Sequence, residues 1–301
     1  MASSRPVCPS PIRWPDTFVV GAPRCGTSAM YEYLRQHPQV YMSPRKEPLF
    51  FAPDLPGLPG ARISDSQDYV ALFKGATDER RVGEASPYYL YSAHAADAIS
   101  RQCPDARIII MLRNPADMMY SMYWAWSYAG FEDSRSFEAA IDRERDSAGL
   151  RGRFILNYRD LTRYYEHVER YLGAFARSRV HVIVFDDLVR DPSGAYREVC
   201  QFLDVAVGFE PRFSLSAFRR AASRRPFSRH LAHFVTSPRS VPLGFVGRRI
   251  ATLLRDAVRR WGSVPPPPLR GELRRRIQRE YEPDVRRLGQ LIGRDLSQWI
   301  N

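Results

Sequence analysis

Thr17-Phe18-Val19-Val20-Gly21-Ala22-Pro23-Arg24-Cys25-Gly26-Thr27-Ser28 is the stretch on which the fold turns. Thr17 to Val20 is a short apolar run of β-forming residues that stops at Gly21. From Thr27 to Gln36 the pattern changes to a helical one, with Met30, Tyr33 and Leu34 on one face. Between them lies a glycine-bracketed turn with the spacing of a phosphate-binding loop, in which Thr27 stands where such loops usually carry lysine. A turn of this kind aims backbone N–H groups and the positive end of a helix at an anion. Thr27 and Ser28 add hydroxyls, and Arg24 places a charge inside the loop. The missing lysine argues against ordinary ATP or GTP hydrolysis, where that side chain reaches the β- and γ-phosphates.

Outward from this unit the chain alternates. Pro44 to Gly60 is rich in proline and glycine and reads as a long surface loop. Helices are expected over Ser66–Lys74 and Ala93–Gln102, with a short strand at Arg81–Glu84 between them. Arg107-Ile108-Ile109-Ile110-Met111-Leu112 is suited to a strand covered on both faces. Asn114-Pro115 then caps a helix over Ala116–Trp126. Further helices are expected over Ser136–Asp146, Arg159–Phe175 and Ser193–Leu203, with a strand at Val180–Phe185. Strands alternating with helices imply a parallel sheet in an α/β fold. The prolines of residues 1–16 predict an irregular leader, and 17–301 reads as one domain: an α/β core over 17–205 and an arginine-rich, mainly helical extension over 206–301, broken at Pro265–Pro268.

A second anion site follows the buried strand. Arg113 stands at its carboxyl end and Ser121 in the second turn of the next helix, so the two can converge on one phosphate. Together these residues resemble the PAPS-dependent sulfotransferase family, and its bacterial and heparan-sulfate-type branches more than its phenol and steroid branch. The resemblance implies a P-loop-type three-layer fold. It also implies 3′-phosphoadenosine 5′-phosphosulfate (PAPS) as sulfonate donor, released as 3′,5′-adenosine diphosphate. The family's first motif, Gly-x-x-Lys-x-Gly-Thr-Ser/Thr, is matched by Gly21–Ser28 with Arg24 in the lysine's place, which implies donor contacts from Arg24, Cys25, Gly26, Thr27 and Ser28. Its second motif, Arg-Asp/Asn-Pro with a serine eight residues after the arginine, is matched by Arg113, Asn114, Pro115 and Ser121, and implies a 3′-phosphate grip that ATP could not satisfy.

The acceptor side carries the rest of the resemblance. Lys46-Glu47-Pro48-Leu49-Phe50-Phe51 is similar to a Lys-Glu-Pro-x-Phe-Phe segment whose glutamate is the general base, which makes Glu47 the candidate base and Arg24 its electrostatic partner in catalysis. Gly83-Glu84-Ala85-Ser86-Pro87-Tyr88-Tyr89 resembles the segment bordering the acceptor cleft, with Ala85 where the heparan-sulfate branch has lysine. Glu84 is either a second acid/base group or a strand-end carboxylate buried against an arginine. Arg224, Arg225 and Arg229 occupy the place of a basic loop over the nucleotide, and Asp186-Asp187 reads as structural rather than as a magnesium site. Phe50, Phe51, Tyr88, Tyr89, Trp124 and Trp126 are candidates to pack an acceptor, a carbohydrate or small metabolite carrying a hydroxyl or amine, with at least half expected in the core.

Composition narrows the alternatives. A net charge of +12 over 301 residues fits an anionic ligand, and its arginine runs read as solvated helix faces. Cys8, Cys25, Cys103 and Cys200 form no CxxC pair, and no residues have metal-ligand spacing, so neither a disulfide framework nor a metal is expected. No apolar run has the length of a signal peptide or membrane span, and a cytoplasmic protein without a nucleic-acid partner is expected. Two rival readings stay open: a kinase or nucleotidase using Gly21–Ser28 as a Walker loop, and a non-enzymatic binder of polyanions.

Overall fold

A computed structural model describes residues 13–55, 58, 62–129, 131–146, 157–213, 225–226, 263–264 and 266–301. Its centre is a five-stranded, all-parallel sheet in the order β2-β3-β1-β4-β5. The strands are β1 (Thr17–Gly21), β2 (Val40–Met42), β3 (Arg81–Ala85), β4 (Arg107–Leu112) and β5 (Val180–Val184). Every residue of β1 is buried, as are five of the six in β4, so helices must cover both faces of the sheet. That is the expected α/β class.

The strand order decides where a ligand can sit. After β1 the chain moves through α1 (Thr27–Leu34) to β2, passes α2 (Ser66–Ala71) on its return to β3, and then forms α3 (Ala95–Gln102). It resumes at β4 on the other side of β1, so the winding direction reverses between β1 and β4. In open parallel sheets the crevice beyond the carboxyl ends of two such strands is the ligand site. Ile108 pairs with Phe18 and Ile109 with Val19, and past the strand end the Ala22 N–H still donates to Met111 O at 2.6 Å. This register sets the loop after Gly21 beside Arg113.

Helices α4 (Pro115–Ala129), α5 (Phe137–Asp146), α6 (Tyr158–Leu161), α7 (Tyr164–Ala174), α8 (Phe185–Arg190) and α9 (Pro192–Leu203) complete the core. Asn114 Oδ1 accepts the Ala116 N–H at 3.0 Å ahead of Pro115, which is the expected cap. The single helix expected over 159–175 is instead broken. The Thr162 hydroxyl lies 3.0 Å from Tyr158 O, competing with the backbone ladder, and 3.0 Å from the Tyr281 hydroxyl, which donates to Arg159 O at 2.8 Å. Strand β5 ends at Val184 rather than Phe185, because Phe185 opens α8, an element the sequence pattern does not announce.

Beyond residue 205, Arg225–Pro226 (β6) and Ser263–Val264 (β7) pair antiparallel, and α10 runs from Gly271 to Ile292. Leu273, Ile277, Tyr281, Val285, Leu288 and Ile292 form its buried stripe against α7 and α4. The arginine run at its start is only partly solvated: Arg274 pairs with Asp117, and Arg276 with Asp142 at 2.9 Å, while Arg275 is exposed. These charges are spent on neighbouring helices. No helix among the described residues is long and apolar enough to cross a membrane.

Candidate active site

Gly26 opens α1 in the left-handed region, at φ 90°. A Cβ there would lie 3.0 Å from Leu188 and 3.1 Å from the Phe185 ring, so both conformation and packing require glycine. The intrahelical ladder begins with Ala29 and Met30, whose N–H groups donate to Gly26 O at 2.9 and 3.1 Å. No side chain caps this end. Helix geometry therefore leaves the N–H groups of Gly26, Thr27 and Ser28 for an external acceptor. Thr27 is buried and Ser28 exposed. The Cys25 thiol is fully buried, 3.3 Å from Pro23 O and 3.8 Å from the Tyr164 hydroxyl, and burial pushes it up to about 12. Cys25 can thus serve a ligand only through its main chain, and its own N–H already donates to Ala22 O at 3.3 Å.

The two predicted anion grips adjoin. Arg24, held at φ 64°, donates from Nε to Ser121 Oγ at 3.0 Å, and Arg113 donates to Arg24 O at 3.5 Å. Burial first, and then the charge of Arg113, lower the Arg24 guanidinium to about 10. It remains cationic at neutral pH, and an anion arriving between the two arginines would relieve that repulsion. Arg113 lies over the Phe185 ring, 4.7 Å from its centroid, which orients its planar fork. Below this pair the Trp299 indole donates to Asp186 Oδ2 at 3.0 Å, and Asn114 donates to Trp299 O at 3.2 Å. Asp187 accepts from Arg190 and Arg294. Both aspartates are thus engaged by side chains of the scaffold. Arg224 and Arg229 lie outside the described residues; Arg225 lies in β6, for which the backbone pairing alone is described.

On the acceptor side the loop after β2 is less exposed than its composition suggests. Leu49, Phe51, Ala52 and Leu55 are buried, and Trp14, Phe50, Phe51 and Tyr69 stack together, with Phe50 and Tyr69 centroids 4.3 Å apart. Glu47 stands at φ 61° and donates its N–H to Ala85 O at 2.9 Å. Its carboxylate, 35% exposed, accepts from Lys46 Nζ at 2.7 Å. Tyr88, whose hydroxyl is hydrogen-bonded to Trp126, is raised by burial and then by the negative charge of Glu47, while Arg24 pulls it the other way. One phenol thus lies within electrostatic reach of both predicted catalytic charges.

Glu84 is fully buried, but against three hydroxyls and not against an arginine. Oε1 accepts from Tyr69 at 2.7 Å and from Tyr89 at 2.8 Å, and Oε2 accepts from Ser86 at 2.6 Å. Burial pushes its carboxyl up to about 7 in spite of these donors. Of the six aromatics considered for the acceptor, Phe51, Tyr88, Tyr89, Trp124 and Trp126 are buried in the core, so five of six serve packing first.

Comparison with known proteins agrees with this geometry. A profile of the sulfotransferase domain matches residues 14–232. The crystal structure of a sulfotransferase from Alicyclobacillus acidocaldarius superposes with a TM-score of 0.74 at 31% identity, covering 96% of this chain and 100% of that one. Mouse heparan sulfate glucosamine 3-O-sulfotransferase 6 is 29% identical over 197 residues, covering 64% of this chain and 52% of its own length. Rat carbohydrate sulfotransferase 15 is 22% identical over 314 residues, covering 83% of this chain and 55% of its own. The chain therefore spans about half the length of these curated relatives.

Proposed function

The chain belongs to the sulfotransferase domain family, and from that premise we propose that it transfers a sulfonate group from PAPS to a hydroxyl of a carbohydrate or small-metabolite acceptor. The observation that supports the donor assignment is the contact between Arg24 and Ser121, with Arg113 alongside: two cationic grips that adjoin at the ends of neighbouring strands, as binding of one doubly phosphorylated nucleotide requires. The residues present fit such a molecule. The uncapped first turn of α1 suits the 5′ side and Arg113 with Ser121 the 3′-phosphate.

When bound, PAPS supplies the sulfonate and departs as 3′,5′-adenosine diphosphate. Glu47 accepts the proton of the acceptor hydroxyl, so that its oxygen bonds to sulfur as the sulfur–phosphate oxygen bond breaks and that electron pair leaves with the phosphate. In this reading Arg24 and the N–H groups of Gly26 and Thr27 would stabilise the negative charge that grows on the departing oxygen. Lys46 Nζ, 2.7 Å from Glu47 Oε1, fixes the direction of the carboxylate. Two acceptor classes follow from the relatives: the heparan-type and carbohydrate-type names favour a sugar hydroxyl, while Ala85, in place of a lysine, removes a charge that a polyanionic sugar would use.

Titration with 3′,5′-adenosine diphosphate against ATP and adenosine 5′-phosphosulfate tests the donor site. Preference for the 3′-phosphorylated ligand is expected; equal affinity for ATP would overturn the assignment. A labelled-PAPS screen against sugars, phenols and small metabolites then identifies the acceptor.

A further inference from the structure

The candidate base sits on a segment whose backbone is pinned at alternate residues. Glu47 N–H donates to Ala85 O at 2.9 Å, Leu49 N–H to Ser86 Oγ at 3.3 Å and Phe51 N–H to the Tyr89 hydroxyl at 3.2 Å. Two of these three residues, Glu47 and Leu49, hold positive φ values of 61° and 57°. Side chains with a Cβ adopt that region only at a cost of roughly 1–2 kcal/mol each, so the segment needs external restraint to remain there.

Two of the three restraints share one origin. Ser86 and Tyr89 accept the two loop N–H groups because their own protons are committed elsewhere, Ser86 to Glu84 Oε2 at 2.6 Å and Tyr89 to Glu84 Oε1 at 2.8 Å. A hydroxyl whose proton is taken by a carboxylate presents its lone pairs in a defined direction. Tyr69, the third donor to Glu84, packs on Phe50 and Phe51 by its ring but relays no hydrogen bond to the loop backbone.

We infer that Glu84 is a positioning residue: its buried carboxylate orients Ser86 and Tyr89 as acceptors for the Leu49 and Phe51 amides, and so holds Glu47 toward the cleft. The catalytic meaning of this inference rests on Glu47 being the base. The pinning does not. A displacement of about 1 Å at a reacting group can cost about a hundredfold in rate, so a relay of this kind matters even though it touches no substrate.

Amide hydrogen exchange at Leu49 and Phe51, with residues 17–20 and 107–112 as internal references, tests the relay. In Glu84→Gln one of the two acceptor oxygens becomes an N–H donor, so at least one of the two loop amides should exchange at least about tenfold faster, as loss of a buried hydrogen bond predicts. Ser86→Ala should free Leu49 and Tyr89→Phe should free Phe51, while Tyr69→Phe should free neither. If Glu84→Gln does not fold, the Ser86 and Tyr89 variants decide. Unchanged protection at both loop amides, or equal acceleration at the two reference strands, overturns the inference. Glu47→Gln, assayed separately by sulfonate transfer, judges the identity of the base, so failure of one reading is distinguishable from failure of the other.

Discussion

Arg24 Nε and Ser121 Oγ lie 3.0 Å apart across 97 residues of chain, joining the loop after β1 to the second turn of α4. This contact sets the donor-site prediction. A charge-assisted hydrogen bond is worth about 1.5–3 kcal/mol, or about a ten- to hundredfold change in affinity. Ser121→Ala and Arg113→Ala should each weaken 3′,5′-adenosine diphosphate by at least the lower figure, with Arg113→Ala the larger effect. Neither should weaken adenosine 5′-phosphosulfate comparably, because it lacks the 3′-phosphate. Calorimetric titration of both ligands checks this, and equal losses for the two would detach Arg113 from the 3′ end.

Gly26→Ala should damage both folding and binding. The new methyl meets Leu188 and Phe185 at about the limit of contact, and φ 90° is disfavoured for any residue with a Cβ. A cost on the order of 1–3 kcal/mol is expected, visible as a fall in Tm of several degrees. Because Phe185 also carries the Arg113 guanidinium, affinity for 3′,5′-adenosine diphosphate should fall as well. Retained affinity at lowered Tm would separate the loop's packing from its role in the site.

The parts of this site legible in sequence are those carried by local spacing. Gly21, Gly26, Arg113 and Ser121 announce themselves because a strand, a turn and a helix start follow each other within a few residues, and the apolar run of β4 marks a strand covered on both faces. The Glu84 cluster was not legible, since Tyr69, Ser86 and Tyr89 reach one carboxylate only once β3 lies beneath the loop. Strand β2 is three residues long, too short for a period to show. Loop composition misleads at Pro44–Gly60, where proline and glycine suggest exposure while Leu49, Phe51 and Leu55 enter the core. The helical break at Thr162 depends on Tyr281, 119 residues away, which no window on the sequence contains.

Glu84 should leave a mark on the pH dependence of stability. Its carboxyl is raised from 4.5 to about 7 by burial, so folding favours the protonated form. That contribution is fully present below about 4.5 and is lost as pH rises through about 7. The groups facing it are the hydroxyls of Tyr69, Tyr89 and Tyr171 and the thiol of Cys103, all pushed upward and protonated in this window, together with the carboxylate of Glu47. The Tm advantage of the wild type over Glu84→Gln should therefore be largest near pH 5 and shrink toward pH 8. A difference that is constant with pH would mean that Glu84 does not titrate in this range.

Glu47→Gln is the sharpest test of the chemistry. The side chain is partly exposed and its ion pair with Lys46 is between neighbours in sequence, so the substitution should leave Tm within about a degree, as surface pairs are worth about 0–1 kcal/mol. The main-chain bond to Ala85 is untouched, so the loop keeps its place. Binding of 3′,5′-adenosine diphosphate, which uses Arg24, Arg113 and Ser121, should be unchanged. Transfer should fall by about 10²–10⁴ in kcat, the usual worth of a positioned general base. An amide at this position cannot accept the proton, and Lys46 is then released from its pair. Glu47→Asp, one methylene shorter, should recover part of the rate if proton acceptance is the role. If Glu47→Gln transfers sulfonate as fast as the wild type, another group removes the proton, and the basic character of the cleft around Lys46 becomes the place to look for it.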